Sequence, residues 1–479
     1  MTAHWIWSLA VLLLWAATHT DASPTWHMSD VIAAVEQVEL SNPGMQPAAL
    51  FLALRRSAAL DDPFLQHFLG PDNATRPQAD ATAALSDYLA EALAHRVRED
   101  GREEGVVLTA DGTTVALGPV LLGLEAGFLS RGRPRGLFQL TLARHLALAA
   151  TRPAGTQGLF PDGCWDSPAS PREFRLSGQP QSLTTALVHG GMDGLVLGTA
   201  VPSARRRGGV SLSSLLRSYY SPAPERAEDP GLIATRRREN FRQLVGQPPL
   251  LARQVVRTLE LQLRLMGRPK MERKERQKVA ALVNMEINEF VLKFMDCPPI
   301  VPRCMWRAAP YRGTPTQLSL PLDFMYIHHT STPSAPCLTF QSCAANMRAI
   351  QRFHQDVHGW DDIGYSFVAG SDGYLYEGRG WQWQGAHTLG HNAIGYGVAF
   401  IGDYSSHLPA SGALELVRER LGSCAVASAM LVGNYTVHGH RQVVSTDCPG
   451  DALYQEITGW EHFGEVTRMK TVLETILGE

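Results

Sequence analysis

The chain has 479 residues, with 43 Lys+Arg against 46 Asp+Glu and a formal net charge of −3, which excludes the basic excess of a dedicated nucleic-acid binder. Hydrophobic residues make up 44% and charged residues 19%, enough to bury a core and too apolar for a mostly disordered chain. At roughly 150 residues per domain the length fits about two to three domains, and neither a strict Gly period nor a sustained heptad supports a collagen or coiled-coil reading.

Ile6 to Ala17 (IWSLAVLLLWAA) is an almost wholly apolar run, preceded by His4 and no Lys or Arg, and followed by small and polar residues from Thr18 to Ser23. It is too short to span a bilayer and suits the core of a signal peptide, so residues 1–22 are read as one. No later stretch reaches the roughly 18 uninterrupted apolar residues of a transmembrane helix. A secreted, extracellular protein with no transmembrane segment is expected. Sequons at Asn73 and Asn434 fit that route as glycosylation sites.

Residues 23–295 read as a mainly α-helical N-terminal domain to which the sequence assigns no role. Ala48 to Leu60, Ala83 to Arg96 and Leu137 to Ala150 place apolar residues at three-to-four spacing. Pro153 to Pro180, rich in Gly, Pro and Ser and containing Cys164, reads as loop. The basic triplets at 205–207 and 236–238 and the run from Lys270 to Lys278 read as solvated faces or loops rather than as sites for an anionic partner. His189-Gly190-Gly191 reads as a turn.

At Cys297 the texture changes. Pro298, Pro299, Pro302, Pro310, Pro315 and Pro321 mark an extended, turn-rich lead-in. A strand is predicted over Leu322 to Thr330, then a helix over Cys343 to His354 with Met347, Ile350 and Phe353 on one face. Tyr365 to Tyr376 reads as two strands around Asp372-Gly373, a hairpin turn. A strand over Val398 to Ile401, a long amphipathic helix over Ala413 to Leu431 and a strand-exit loop over Val437 to Gly450 follow. Strands mixed with helices predict an α/β domain over 296–465, a mixed β-sheet flanked by helices, leaving 466–479 as a tail.

Seven cysteines, 164, 297, 304, 337, 343, 424 and 448, leave one over in a secreted chain. The odd one is a free thiol, an intermolecular partner or a residue reserved for another task, with Cys448 the candidate. Zinc takes imidazole nitrogen and thiolate, and a catalytic site keeps three protein ligands and an open position. The C-terminal half offers His328-His329 at a strand end, His440, and Cys448 eight residues later. Adjacent strand residues face opposite sides, so one histidine of the pair faces such a metal and spacing does not say which. Histidines satisfied in a core, with Cys448 in a disulfide, is the competing reading. His-Glu-x-x-His, Gly-x-Ser-x-Gly and paired Cys-x-x-Cys patterns are absent.

At these residues a resemblance becomes specific. CPPIVPR, YIHHT, the C-x5-C from Cys337, MRAIQRFHQD, GWDDIGYSF, GSDGYLYEGRGW, GAHTLGHN, GHRQ, TDCPG and WEHF occur in order from Cys297 to about Phe463. That third of the chain resembles the peptidoglycan recognition protein family, related to phage-type zinc amidases, and the long helical region before it resembles the large secreted members with N-acetylmuramoyl-L-alanine amidase activity. The resemblance implies a Zn2+ cofactor held by His328, His440 and Cys448, with His329 the neighbouring alternative, and peptidoglycan and muropeptides as partners. Family members that only bind peptidoglycan lack these ligands, so an active enzyme is implied. Tyr365 matches the tyrosine beside the catalytic water. Thr446 stands where the phage enzymes carry Lys, which leaves that second catalytic position open. His354, His387 and Asn392 match muropeptide-contacting positions, and Gly359, Trp360 and Arg379 match members favouring diaminopimelate stems. A guanidinium suits the extra carboxylate of that stem, against the alternative of Arg379 as a solvent-exposed strand residue. The family's disulfides imply Cys337–Cys343 and Cys297–Cys424, leaving Cys164 and Cys304 to pair with each other. Three functions compete: a zinc amidase acting in innate immune scavenging of cell wall, a non-catalytic recognition module, and an N-terminal unit that binds protein or lipid.

Overall fold

The computed structural model describes residues 27–57, 105–129, 173–174, 183–206, 211–221, 232–245, 247–265, 267–303 and 305–466. The expected signal peptide, the helices over Ala83 to Arg96 and Leu137 to Ala150, Asn73, Cys164 and Cys304 lie outside the described residues, as does nearly all of the Pro153 to Pro180 loop and of the tail.

The first half is built from helices α1 (Met28–Ser41), α2 (Pro47–Ser57), α3 (Leu117–Leu129), α4 (Thr185–Arg206), α5 (Leu212–Tyr219), α6 (Arg237–Val245), α7 (Pro248–Leu265) and α8 (Arg273–Val291), with short antiparallel pairs β1 (Val106–Leu108) with β2 (Thr114–Ala116) and β3 (Glu173–Phe174) with β4 (Leu183–Thr184). One apolar cluster from Met28 to Met295 fills it. His189-Gly190-Gly191 is no turn: it lies inside α4. A Cβ on Gly194 would come within 2.6 Å of the Val120 carbonyl, and one on Gly127 within 2.5 Å of Gly198. Glycines at four-residue spacing let α3 and α4 meet backbone to backbone.

The triplet at 236–238 is not a solvated cluster either. Arg237 and Arg238 are 3% and 6% exposed. Arg237 reaches Asp193 at 3.0 Å and Asp111 at 3.6 Å. Tyr219 and Tyr220 donate to Asp193, at 2.6 and 3.0 Å. Burial raises the Asp111 carboxyl, but Arg237 and hydrogen bonds from Thr109, Tyr374 and Thr113 outweigh it and hold the group below its ordinary value.

Tyr374 belongs to the second half, so this network fastens the two together: its hydroxyl donates to Asp111 at 2.5 Å. Gly112, at φ +78°, sits under the Phe340 ring, where a Cβ would stand 2.3 Å from its nearest carbon. Arg238 and Arg420 both donate to the Cys297 carbonyl, at 2.8 and 2.9 Å.

From residue 300 a six-stranded mixed sheet forms, in the order β10-β6-β9-β7-β8-β5. Its strands are β5 (Ile300–Val301), β6 (Leu322–His329), β7 (Phe367–Ala369), β8 (Leu375–Glu377), β9 (Gly395–Phe400) and β10 (Leu431–Gly439). Only β7 with β8 is antiparallel. β6 is interior, and its near-continuous apolar run fits burial on both faces. Helix α9 (Phe340–Asp356) starts with a capping box between Thr339 and Ser342. Its buried stripe runs through Cys343, Met347, Ile350 and His354. Phe353, expected on that face, is 50% exposed, because the helical period selects its neighbour His354.

The long helix expected over Ala413 to Leu431 is shorter and broken. α10 (Ser411–Glu415) passes through a π turn over Leu416–Leu421 into α11 (Gly422–Ala427), and Leu431 opens β10. Disulfides join Cys297 to Cys424 and Cys337 to Cys343. A last helix, α12 (Asp451–Ile457), follows the 440–450 loop. Among the described residues no helix is long and apolar enough to cross a membrane. Asn434 is exposed on the edge strand β10.

Candidate metal centre and groove

β6 and β10 run parallel with Gly439 opposite Ile327, so the next residues, His440 and His328, come together at the carboxyl ends of neighbouring strands. Their rings are 4.4 Å apart. The loop after His440 returns Cys448 to the same place. Its turn is set by Arg441 N–H donating to the Cys448 carbonyl at 2.9 Å and by the N–H of Cys448 donating to Thr446 Oγ1 at 3.2 Å. Thr446 itself is exposed.

One ligand atom from each of His328, His440 and Cys448 lies within 4.8 Å of the others, the one such group among the described residues. Cys448 Sγ is 3.7 Å from His328 Nδ1, and Cys448 is a free thiol. The chemistry of the set fits a zinc-type cation: two imidazoles and a sulfur, with His440 Nδ1 buried and without a hydrogen-bond partner. Burial, then the neighbouring His440, His387 and His329, pushes His328 well below its ordinary value. Burial, then His329, lowers His440 to about 4. Both rings are therefore neutral at pH 7, with lone pairs to offer. Burial pushes the Cys448 thiol up to about 12, against a backbone hydrogen bond from His329 and the charge of Arg441, so a bound cation must displace its proton.

His329 points away, as strand alternation requires. Its Nδ1 accepts from Tyr404 N–H at 3.2 Å and lies 3.7 Å from Asp403. Its backbone N–H donates to Cys448 Sγ at 3.4 Å. Sequence reasoning missed Thr388, which is 1% exposed. Its Oγ1 lies 3.4 Å from His328 Nε2 and 2.9 Å from His387 Nδ1, an outer contact of the kind that fixes ring orientation and tautomer. Its only sequence signal is its place after His387 in GAHTLGHN. Asn392 Oδ1 accepts from the backbone N–H groups of His387 and Thr388, both at 2.8 Å, which pins this segment.

Tyr365 lies 5.4 Å, ring to ring, from His328 and 5.5 Å from His354. Burial, then the Cys448 sulfur, raises its phenol above the ordinary range, so it keeps its proton. His354 Nδ1 accepts from Gly364 N–H at 3.0 Å. Its ring sits 4.8 Å from Trp360, which stacks on His358. Gly359 turns the chain there at φ +68°. Arg379 is neither exposed nor on a strand. It is 8% exposed, follows β8, and donates to the carbonyls of Ile363 at 2.8 Å and Gln384 at 2.9 Å while lying over the Tyr311 ring. It lines a cavity of about 370 Å³ with Arg303, Tyr311, Asp362 and Trp383.

Residues 318–451 match the N-acetylmuramoyl-L-alanine amidase family. The whole chain is 38% identical to an N-acetylmuramoyl-L-alanine amidase of Mus musculus, across 96% of this chain and 98% of the relative. It is also 38% identical to the Homo sapiens protein of that name, across 96% and 94%. Peptidoglycan recognition protein 1 of Mus musculus is 41% identical over 36% of this chain and 92% of its own length. The chain belongs to the N-acetylmuramoyl-L-alanine amidase family.

Proposed function

We propose that this amidase hydrolyses the amide between the lactyl group of N-acetylmuramic acid and L-alanine in bacterial peptidoglycan. In this reading it is zinc-dependent, and acts outside the cell in innate immune scavenging of wall fragments. The observation that carries the reading is the convergence of His328, His440 and Cys448 at the ends of β6 and β10. These three residues would hold the ion. When bound, zinc supplies Lewis-acid activation of a water nucleophile and of the scissile carbonyl.

The remaining work falls to the chain's own groups. With Nδ1 of His328 turned to Cys448, its Nε2–H donates to Thr388, and the Thr388 hydroxyl donates in turn to His387 Nδ1, which fixes both tautomers. The Tyr365 phenol, still protonated, donates to the oxygen on which negative charge develops. Thr446 acts through the Cys448 loop. His354, Trp360, His387 and Asn392 form the walls that orient the stem peptide. Gly359, Trp360 and Arg379 favour a diaminopimelate stem, with the Arg379 N–H left over from its bonds to the Ile363, Gln384 and Asp362 carbonyls and the Tyr311 hydroxyl offered to the extra carboxylate.

Mass analysis of products from two defined muropeptides, one with a diaminopimelate stem and one with a lysine stem, tests the reading. Release of the intact stem peptide, faster from the diaminopimelate form, is expected. Recovery of both muropeptides uncleaved would leave a recognition module and contradict it.

A further inference from the structure

The helical region carries a track of cations that the amidase site does not use. From Leu251 to Arg264 the exposed positions of α7 are Arg253, Arg257 and Arg264, and every other position there is buried or half-buried. Spacings of four and seven residues put the three on one face, and the rise of a helix spreads them over about 16 Å. The row continues into the turn with Arg268 and Lys270, both exposed, and onto the first turns of α8 with Arg273, Lys274 and Lys278. Arg276 bridges the two helices by pairing with Glu260 at 2.5 Å, so the start of α8 lies beside the α7 row.

Residues 253–278 hold nine Lys and Arg against Glu260, Glu272 and Glu275, a net +6 in a chain whose total is −3. No ion pair to Arg253, Arg257 or Arg264 occurs among the described residues. A row of unpaired guanidinium groups suits a linear polymer of anionic groups, since guanidinium pairs with phosphate in a bidentate way and each contact releases counterions from the polymer.

We infer that the exposed Arg253–Arg257–Arg264 row of α7 and the adjoining turn form a docking track for a phosphodiester glycopolymer carried on the bacterial wall. The choice of a wall polymer over a host polyanion rests on the peptidoglycan reading above. It is supported by the fastening of the helical region to the amidase domain through Tyr374, Asp111, Arg237 and Arg238. With both halves held in one body, a hold on the polymer keeps the groove at high effective concentration over the peptidoglycan bearing it.

The test measures binding of the full chain to purified wall sacculi with the anionic polymer retained or stripped by acid. It uses wild type, the triple variant Arg253→Ala, Arg257→Ala, Arg264→Ala, and the corresponding triple to Lys. Wild type is expected to bind the polymer-bearing sacculi about tenfold more tightly, with the difference lost in high salt. The Ala triple is expected to bind both preparations alike and the Lys triple to keep the preference. Equal binding of wild type to both preparations would overturn the proposal, as would a preference undiminished in the Ala triple, or heparin competing better than soluble wall polymer. Cleavage of a small soluble muropeptide, which has no polymer, is expected to be the same in wild type and the Ala triple. No cleavage by either would sink the amidase reading and leave the binding result standing by itself.

Discussion

The helical region and the amidase domain both bury polar groups: carboxylates around an arginine in the first, neutral imidazoles beside a thiol in the second. In the helical region Asp193 receives Arg237, Tyr219 and Tyr220, and Asp111 receives Arg237, Thr113 and Tyr374. Each carboxylate is surrounded by donors, as a structural ion network requires. In the amidase domain His328, His354, His387 and His440 are held neutral by burial, and His440 Nδ1 and His387 Nε2 have no hydrogen-bond partner. Neutral imidazoles gathered around His328 beside one thiol mark a part of the molecule shaped for something other than folding.

That contrast can be broken by substitution. Asp193→Ala leaves Arg237 buried without its closest countercharge, and a loss of about 3–5 kcal/mol in unfolding stability is expected, read from the urea midpoint. Muropeptide cleavage per folded molecule is expected to stay unchanged. Cys448→Ser reverses the pattern. Cleavage is expected to fall by more than about 100-fold, because a first ligand matters at least as much as the outer partners that cost 10–100-fold, while the urea midpoint moves little and sacculus binding persists. If the two variants exchanged these phenotypes, the division of labour would be wrong. Asn392→Ala sharpens the picture. It strands the N–H groups of His387 and Thr388, and about a tenfold loss of kcat/KM with metal content retained is expected.

What the sequence shows and hides follows the same division. The apolar run of β6 and the strand-helix alternation after Cys297 were legible because their periods are local. The candidate set His328, His440 and Cys448 came from the resemblance, because spacing left His328 and His329 open; neighbouring strand register, which only the fold supplies, brings His328 and His440 side by side. The partners of Arg237 stand 44 and 126 residues away, and a basic triplet carries no sign of them. His189-Gly190-Gly191 looks like a turn until the Ala116 backbone is seen against Gly190, one turn before the close approach of Gly194 to Gly123 and of Gly198 to Gly127. The helix over Ala413 to Leu431 was overextended because apolar periodicity does not register a π turn or the switch into β10. Phe353 is a smaller error of one position on α9. Phe353→Ser is expected to change stability by less than about 0.5 kcal/mol, whereas a cost of several kcal/mol in the same urea titration would restore it to the core.

The central claim is that one ion is held by two imidazoles and one sulfur. X-ray absorption at the zinc edge of the metal-loaded full chain tests it most directly. The account predicts a single sulfur at about 2.3 Å and two imidazole nitrogens at about 2.0–2.1 Å, with the sulfur contribution gone in Cys448→Ser. A shell without sulfur in the wild type, or one unchanged by that substitution, would contradict it.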